Sequence, residues 1–137
     1  MNETKAQGHC YCGAVQFEVS GAPIWVSHCH CESCRRHSGS VMATFAGFIP
    51  DQVNFSGTPP ASFVSDDGVK RSFCGRCGSP ISYESGRWND QIHLYLGIFD
   101  QPEKIQPEGH VFCEEKIAWL KIADGLPRHQ GSSGETG

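Results

Sequence analysis

The chain has 137 residues, of which 38% are hydrophobic, and a formal net charge of -4 at pH 7. This length fits one domain, and the acidic balance argues against a dedicated nucleic-acid-binding protein, which usually needs a basic face to neutralise phosphates. No apolar run approaches the ~20 residues that a membrane-spanning helix requires, so we expect neither a nucleic-acid nor a membrane partner.

The chain begins with a polar segment and then becomes a series of short strands. Residues 1–7 contain no apolar signal core, so we expect a frayed N-terminus and a cytoplasmic protein. Residues 8–128 are expected to form the single domain. Its first strand is predicted by Val15, Phe17 and Val19, which alternate with polar residues and therefore share one face.

Most of the remaining chain also favours strands and turns. Further strand-like stretches lie at residues 24–28, 41–46, 53–55, 62–65, 69–73, 81–84, 91–99 and 109–112. Residues 32–38 could form a short helical turn, and a weak helical period covers residues 114–122. The Gly/Ser-rich residues 129–137 are expected to be disordered. The pattern predicts an all-β protein with little helix.

Three cysteines lie within six residues, at Cys29, Cys31 and Cys34. In extended backbone a Cys-X-Cys pair points both side chains to the same face, and a turn can bring Cys34 onto the same centre. Three sulfurs can thus reach one metal without a distant part of the chain. Zinc takes four ligands, so a site with three protein ligands leaves a position for water or substrate. We expect an open, chemically active zinc site here.

Two cysteine pairs lie on either side of this triplet. Cys10 and Cys12 precede it, whereas Cys74 and Cys77 follow it in a knuckle-like Cys-Gly-Arg-Cys-Gly segment. Together the pairs can form a closed four-thiolate zinc site of the structural type, which makes two zinc ions per chain. Spacing alone also permits Cys29 and Cys31 to join Cys74 and Cys77. Cys113 is left over, and closely spaced cysteines in a reducing compartment favour metal ligands over disulfides.

Basic residues follow the triplet directly. Three thiolates and one Zn²⁺ carry a formal charge of -1, so Arg35, Arg36 and His37 are candidate catalytic residues that could supply compensating donors. An arginine fork could also hold a substrate carboxylate. Alternatively, His28, His30 or His37 could close the zinc site as a fourth ligand, with His30 disfavoured because alternation points it away from its two cysteine neighbours.

The ordered cysteine motifs resemble those of the glutathione-dependent formaldehyde-activating enzyme family, whose domain centromere protein V shares. The resemblance rests on Gly8-His9-Cys10-Tyr11-Cys12-Gly13-Ala14-Val15, Cys29-His30-Cys31-Glu32-Ser33-Cys34-Arg35 and Arg71-Ser72-Phe73-Cys74-Gly75-Arg76-Cys77-Gly78. Later pieces agree, at residues 96–100, 107–111, 119 and 125–127. The resemblance covers nearly all of residues 8–127.

This resemblance implies a fold and a reaction. The fold would be the Mss4-like arrangement of several small antiparallel sheets. Its structural zinc would be held by Cys10, Cys12, Cys74 and Cys77, and its catalytic zinc by the Cys29 triplet. The family's named reaction joins formaldehyde to glutathione, giving S-(hydroxymethyl)glutathione, and is classed as a carbon–sulfur lyase reaction in reverse. A thiol such as glutathione is therefore the expected small-molecule partner.

Two other functions compete with this interpretation. The same zinc-stapled domain could be a non-catalytic interaction module, as the relation to centromere protein V suggests. An iron–sulfur protein is the weaker competitor, because the spacings do not match the usual cluster motifs. Metal content separates the alternatives: two zinc ions, one of them with a non-protein ligand, would favour an enzyme.

Overall fold

The computed structural model describes residues 5–132, in which ten strands and one α-helix form the regular structure. The strands are β1 Lys5–His9, β2 Val15–Ser20, β3 Trp25–Cys29, β4 Ala43–Phe48, β5 Val53–Gly57, β6 Ala61–Val64, β7 Lys70–Phe73, β8 Pro80–Glu84, β9 Ile92–Tyr95 and β10 Gly109–Val111. The helix α1 is Glu32–Ser38, and short 3₁₀ turns are Pro50–Gln52, Gly86–Trp88, Leu96–Ile98, Pro102–Lys104 and Cys113–Glu115. The expected mainly β fold with little helix is confirmed.

The strands form two sheets. A three-stranded sheet has the order β1-β2-β5, and a seven-stranded sheet has the order β10-β3-β4-β9-β8-β7-β6. All pairings are antiparallel except that of β10 with β3, which is parallel. Among residues 5–132, no helix has the length and apolar character that a membrane crossing requires.

The main core lies between the two sheets. Phe17 and Val19 from β2 are buried against residues of the large sheet that include Val26, Ala46 and Leu94. These three are cross-strand neighbours in one row, because Val26 pairs with Ala46 and Ala46 pairs with Leu94. Side chains alternate between the faces of a strand, so the intervening residues of β3, β4 and β9 point to the opposite face of the large sheet. That opposite face carries the site described below.

Both chain ends are more ordered than the sequence suggested. Residues 1–4 lie outside the described residues, but Lys5–Gln7, expected to be frayed, belong to β1 and pair with β2. Residues 133–137 also lie outside, whereas residues 129–132 run beside β10: His129 N donates to the His110 carbonyl at 2.8 Å and Phe112 N to that of Gly131 at 2.9 Å. Backbone pairing, which composition does not reveal, orders these residues.

Two further expectations were wrong. The weak helical period over residues 114–122 yields only the 3₁₀ turn Cys113–Glu115, followed by irregular chain. Trp119, which lies in this irregular stretch, is 68% exposed. The strand expected at residues 91–99 is shorter, because the chain leaves β9 at Tyr95 and forms the 3₁₀ turn Leu96–Ile98. Helical periodicity over so few residues is a weak signal that tertiary contacts readily override.

Candidate metal centres and the adjoining cavity

The first candidate metal centre brings together the two outer cysteine pairs. Cys10, Cys12, Cys74 and Cys77 have their sulfurs within 4.8 Å of one another. The Cys12 sulfur is 3.7 Å from that of Cys10 and 3.8 Å from that of Cys74. A tetrahedron with Zn–S bonds of about 2.3 Å has edges of about 3.8 Å, so the spacing suits zinc.

The backbone around this group is built to hold thiolates. Arg76 N and Cys77 N point at the Cys74 sulfur, at 3.3 and 3.4 Å, and Val15 N donates to the Cys10 sulfur at 3.3 Å. The Ser79 hydroxyl lies 3.2 Å from the Cys77 sulfur, and this contact lowers the pKa of Cys77 to about 5. Amide donors stabilise negative sulfur, so the donor set fits a divalent cation.

The second candidate centre is the triplet Cys29, Cys31 and Cys34, whose sulfurs also lie within 4.8 Å of one another. Cys29 ends β3, and Cys31 is the N-cap of α1, where its sulfur accepts a hydrogen bond from Cys34 N at 3.3 Å. The sulfurs of Cys29 and Cys34 are 3.8 Å apart. A strand end followed by one helical turn therefore suffices to gather all three thiols.

The triplet cannot ionise fully without a cation. Hydrogen bonds from Cys29 and Cys34 lower the pKa of Cys31 to about 2, whereas hydrogen bonding with Cys31 and Cys34 raises the pKa of Cys29 far above its ordinary value. One thiolate is thus stabilised at the expense of its neighbours, because like charges at this distance repel. Soft sulfur ligands in this number suit zinc, so this group too could hold a metal ion.

No further protein ligand completes the triplet within residues 5–132, where no other His, Cys, Asp or Glu ligand atom lies within 4.8 Å of all three sulfurs. The alternatives considered from sequence are engaged elsewhere. His28 Nδ1 lies 2.8 Å from the Thr44 hydroxyl, His37 Nδ1 lies 3.2 Å from the Tyr95 hydroxyl, and His30 Nε2 lies 2.9 Å from His110 Nδ1.

A guanidinium does approach the triplet, but it comes from β7. Arg71 Nη1 donates to the Cys34 sulfur at 3.6 Å. Burial would lower the pKa of Arg71, but the charge and hydrogen bond of Cys34 outweigh it and the pKa is raised. Sequence spacing does not predict this contact, because Arg71 stands 37 residues from Cys34.

The basic residues next to the triplet do not line its cavity. Arg36 Nε donates to the Glu32 carboxylate at 2.7 Å on the exposed face of α1. Arg35 Nε is buried without a hydrogen-bond partner among residues 5–132. Neither arginine, nor His37, lines the cavity beside the triplet. The catalytic roles expected of these three residues stay predictions.

A cavity of about 710 Å³ opens beside the triplet. Its floor is one face of the large sheet, where a row of cross-strand neighbours runs from Trp25 through Gly47, His93 and Tyr83 to Arg71. A Cβ on Gly47 would lie 2.5 Å from the Trp25 ring, so glycine lets that ring lie across β4 and reach His93, with centroids 4.5 Å apart. Trp88 also lies in the cavity wall.

Behind the triplet, two buried histidines are hydrogen-bonded in a chain that ends at an exposed carboxylate. His110 Nε2 is 2.8 Å from the Asp124 carboxylate, and His110 Nδ1 is 2.9 Å from His30 Nε2. The carboxylate only accepts, so His110 Nε2 donates to it, and a neutral His110 ring then accepts from His30 through Nδ1. His30 Nδ1 is then a buried acceptor without a partner among residues 5–132. The ligand atoms of His28, His110 and Asp124 also lie within 4.8 Å of one another, but these hydrogen bonds account for the His110–Asp124 contact.

The fold and the two cysteine groups define a mainly β protein built around two potential metal centres, one of them beside a large cavity. The family model of the glutathione-dependent formaldehyde-activating enzyme matches residues 5–115. The chain belongs to this family.

Individual proteins are similar over most of their length. A Halomonas elongata protein provisionally named a glutathione-dependent formaldehyde-activating enzyme is 29% identical over 133 residues, covering 85% of this chain and 80% of that protein. An uncharacterised lyase of Schizosaccharomyces pombe is 23% identical over 110 residues, covering 80% of each. The crystal structure of a Rhodobacter sphaeroides protein matches with a TM-score of 0.58 at 18% identity, covering 89% of this chain and 98% of that one. The last likeness concerns the fold alone.

Proposed function

We propose that the chain is a zinc-dependent carbon–sulfur lyase that makes or breaks a thiol adduct such as S-(hydroxymethyl)glutathione. The observation that carries the proposal is the triplet Cys29, Cys31 and Cys34, which has no fourth protein ligand among the described residues and lines the 710 Å³ cavity. Family membership and the names of the two curated relatives support a lyase that uses glutathione. The four-cysteine group is assigned the structural zinc.

The reaction is a reversible cleavage without redox change. In the lyase direction the C–S bond breaks and its electron pair goes to sulfur, while the hydroxyl group loses its proton and becomes the carbonyl of formaldehyde. The sulfur then takes a proton and leaves as a thiol. A bound zinc ion would supply a soft positive centre for sulfur and Lewis acidity for oxygen.

The chain's own residues meet the remaining needs of this reaction. Negative charge develops on sulfur as the C–S bond breaks, and Arg71, already 3.6 Å from the Cys34 sulfur, is the nearest guanidinium to offset it. Arg71 is held in place, because its guanidinium carbon lies 5.0 Å from the centroid of the Tyr83 ring. The aromatic rings of the cavity floor give the triplet a partly apolar surrounding, which strengthens these electrostatic interactions relative to bulk water.

The test is the rate of exchange between formaldehyde, glutathione and their adduct, measured by NMR exchange spectroscopy on zinc-loaded protein. Because the adduct also forms without an enzyme, the quantity of interest is the rate above the uncatalysed exchange. Cys31→Ala should abolish that excess, whereas Cys113→Ala, outside both cysteine groups, should retain it. Two bound zinc ions without any excess rate would favour the non-catalytic interaction module.

A further inference from the structure

The cavity beside the triplet is larger and more aromatic than formaldehyde requires. Its wall and floor include the rings of Trp25, Phe45, Tyr83, Trp88 and His93. A one-carbon carbonyl compound cannot contact so much aromatic surface in about 710 Å³. Ligand pockets of this size usually enclose most of a molecule with apolar groups of its own. The aromatic lining therefore fits a ligand that has an apolar group large enough to pack against it.

These rings form one connected cluster around His93. The Tyr83 ring stacks on the His93 ring, with centroids 5.2 Å apart. The Trp25 ring packs edge-on against the same His93 ring, with centroids 4.5 Å apart. Gln91 Oε1 accepts from Trp25 Nε1 at 3.2 Å and lies 2.9 Å from His93 Nε2. Burial lowers the pKa of His93 to about 4, so the ring is neutral at neutral pH. The cluster is thus an uncharged surface, fixed by its own contacts.

The charges around the cavity are mostly negative. Asp66 and Asp67, at the tip of the β6–β7 hairpin, and Glu115 all line it. Asp67 accepts a hydrogen bond from the Ser65 hydroxyl, which lowers the pKa of this carboxyl. Glu115 Oε1 accepts from Glu32 N at 2.7 Å. Arg71 is the one cationic side chain among the described residues of the lining, and it is engaged with Cys34.

Glutathione matches this charge pattern poorly, because it carries two carboxylates and one ammonium group. A carboxylate brought into the cavity would meet three like charges and find one guanidinium that already serves the triplet. Like-charge juxtaposition across an interface disfavours binding. An aromatic or aliphatic group would instead stack on the rings without that penalty.

We infer that the thiol substrate of this site has an aromatic or apolar organic part and carries no carboxylate. This inference rests on the proposed function and specifies the thiol that the lyase would use. The sulfur would lie at the triplet, and the apolar part would extend over Trp25, Tyr83 and Trp88. Glutathione would then be a weaker ligand of this family member.

The experiment compares three thiols on the zinc-loaded full chain. Phenylmethanethiol and 4-(mercaptomethyl)benzoic acid share a ring and a thiol, and differ by one carboxylate; glutathione is the third probe. Dissociation constants come from quenching of tryptophan fluorescence, since Trp25 and Trp88 line the cavity, and from calorimetry. We expect phenylmethanethiol to bind about tenfold more tightly than either acid, from stacking and the absence of like-charge repulsion.

Two sets of variants test the cause of that preference. The double variant Asp66→Asn, Asp67→Asn should reduce the ratio between the dissociation constants of the carboxylate analogue and of phenylmethanethiol. The control Glu18→Gln, Asp51→Asn also removes two negative charges, but at positions outside the cavity lining. It should leave this ratio of dissociation constants unchanged. Trp88→Ala, a change in a 3₁₀ turn, should weaken the binding of phenylmethanethiol several-fold more than the binding of glutathione.

The outcomes separate the two proposals. If glutathione or the benzoic acid analogue binds as tightly as phenylmethanethiol, the inferred substrate class is wrong, whereas thiol binding itself still supports the lyase. If the control double variant reduces the ratio of dissociation constants as much as the aspartate double variant does, the cavity carboxylates are not the cause of the preference, and the inference is overturned. If no thiol binds, both proposals are overturned together.

Discussion

The Arg71 guanidinium donates to the Cys34 sulfur at 3.6 Å across 37 residues of sequence. Arg71 reaches this position because β7 lies in the same sheet as β3, whose end carries Cys29. The contact joins the triplet to the cavity floor, since Arg71 pairs with Tyr83 and Tyr83 pairs with His93. The sheet thus supplies a positive charge beside the thiols, whereas the sequence led us to expect one from the residues that follow Cys34.

Replacing Arg71 should slow the proposed reaction. Arg71→Met removes a charge-assisted hydrogen bond, which is worth about 1.5–3 kcal/mol, so the catalysed exchange rate should fall about 10- to 100-fold. Arg36→Met is the matched control, since Arg36 pairs with Glu32 on the exposed face of α1. The measurement is NMR exchange on both zinc-loaded variants. An equal loss in the Arg36 variant would favour the catalytic role that the sequence predicted for Arg36.

Loss of one ligand of the four-cysteine group should destabilise the fold. Cys10 and Cys12 follow β1, whereas Cys74 and Cys77 connect β7 to β8, so a shared metal ties the two sheets together. Cys77→Ser should bind one zinc fewer and melt at a clearly lower temperature, because structural zinc supplies folding free energy. Cys113→Ser is the control. An unchanged melting temperature with full zinc content would contradict the structural assignment.

Loss of one ligand of the triplet should instead leave the fold and remove activity. The triplet is gathered by one strand end and one helical turn, so a metal bound there would crosslink no distant segments. Cys31→Ala should lose one zinc per chain and its excess exchange rate while retaining the wild-type circular dichroism spectrum. If Cys31→Ala and Cys77→Ser collapse equally, both metals are structural.

The position left open at the triplet should accept a thiol. With cobalt in place of zinc, addition of phenylmethanethiol or glutathione should change the optical spectrum, because a sulfur ligand joins the metal and thiolates suit it. X-ray absorption at zinc should report a rise in the average number of sulfur ligands. Both changes should vanish in Cys31→Ala. A spectrum that stays constant at saturating thiol would show that the fourth position is closed.

The hydrogen-bonded chain from His30 through His110 to the exposed Asp124 predicts that this carboxylate contributes to the free energy of unfolding in a pH-dependent way. Hydrogen bonds from Leu126 N and His110 lower the pKa of this carboxyl in the folded state. The stabilisation of the fold by ionised Asp124 is therefore fully present above the unfolded-state pKa of about 3.9. It is lost as pH falls through the lower pKa of the folded state. Asp124→Asn should melt below the wild type at pH 7, and this difference should shrink toward pH 3. Asp51→Asn, an exposed control, should behave as the wild type throughout.

Some features of the site were predictable because they depend on a few neighbouring residues. Cys29, Cys31 and Cys34 meet through strand alternation and one helical turn, and both are properties of local backbone. The alternation of Val15, Phe17 and Val19 likewise predicted β2 and its buried face. The pairing of Cys10 and Cys12 with Cys74 and Cys77 was one of the partitions that spacing allowed, and the structure brings that set of four together.

Other features depend on the register of strands that are far apart in sequence. Trp25 reaches His93 only because β3 and β9 both pair with β4, and because Gly47 stands between them. His30 meets His110 because β10 joins the sheet beside β3 in parallel. No local pattern encodes such neighbours, since the pairing free energy is realised only when distant strands close on one another. The amino-acid sequence by itself therefore determined which cysteines are candidate metal ligands, whereas the tertiary structure alone decided which charges and rings surround them.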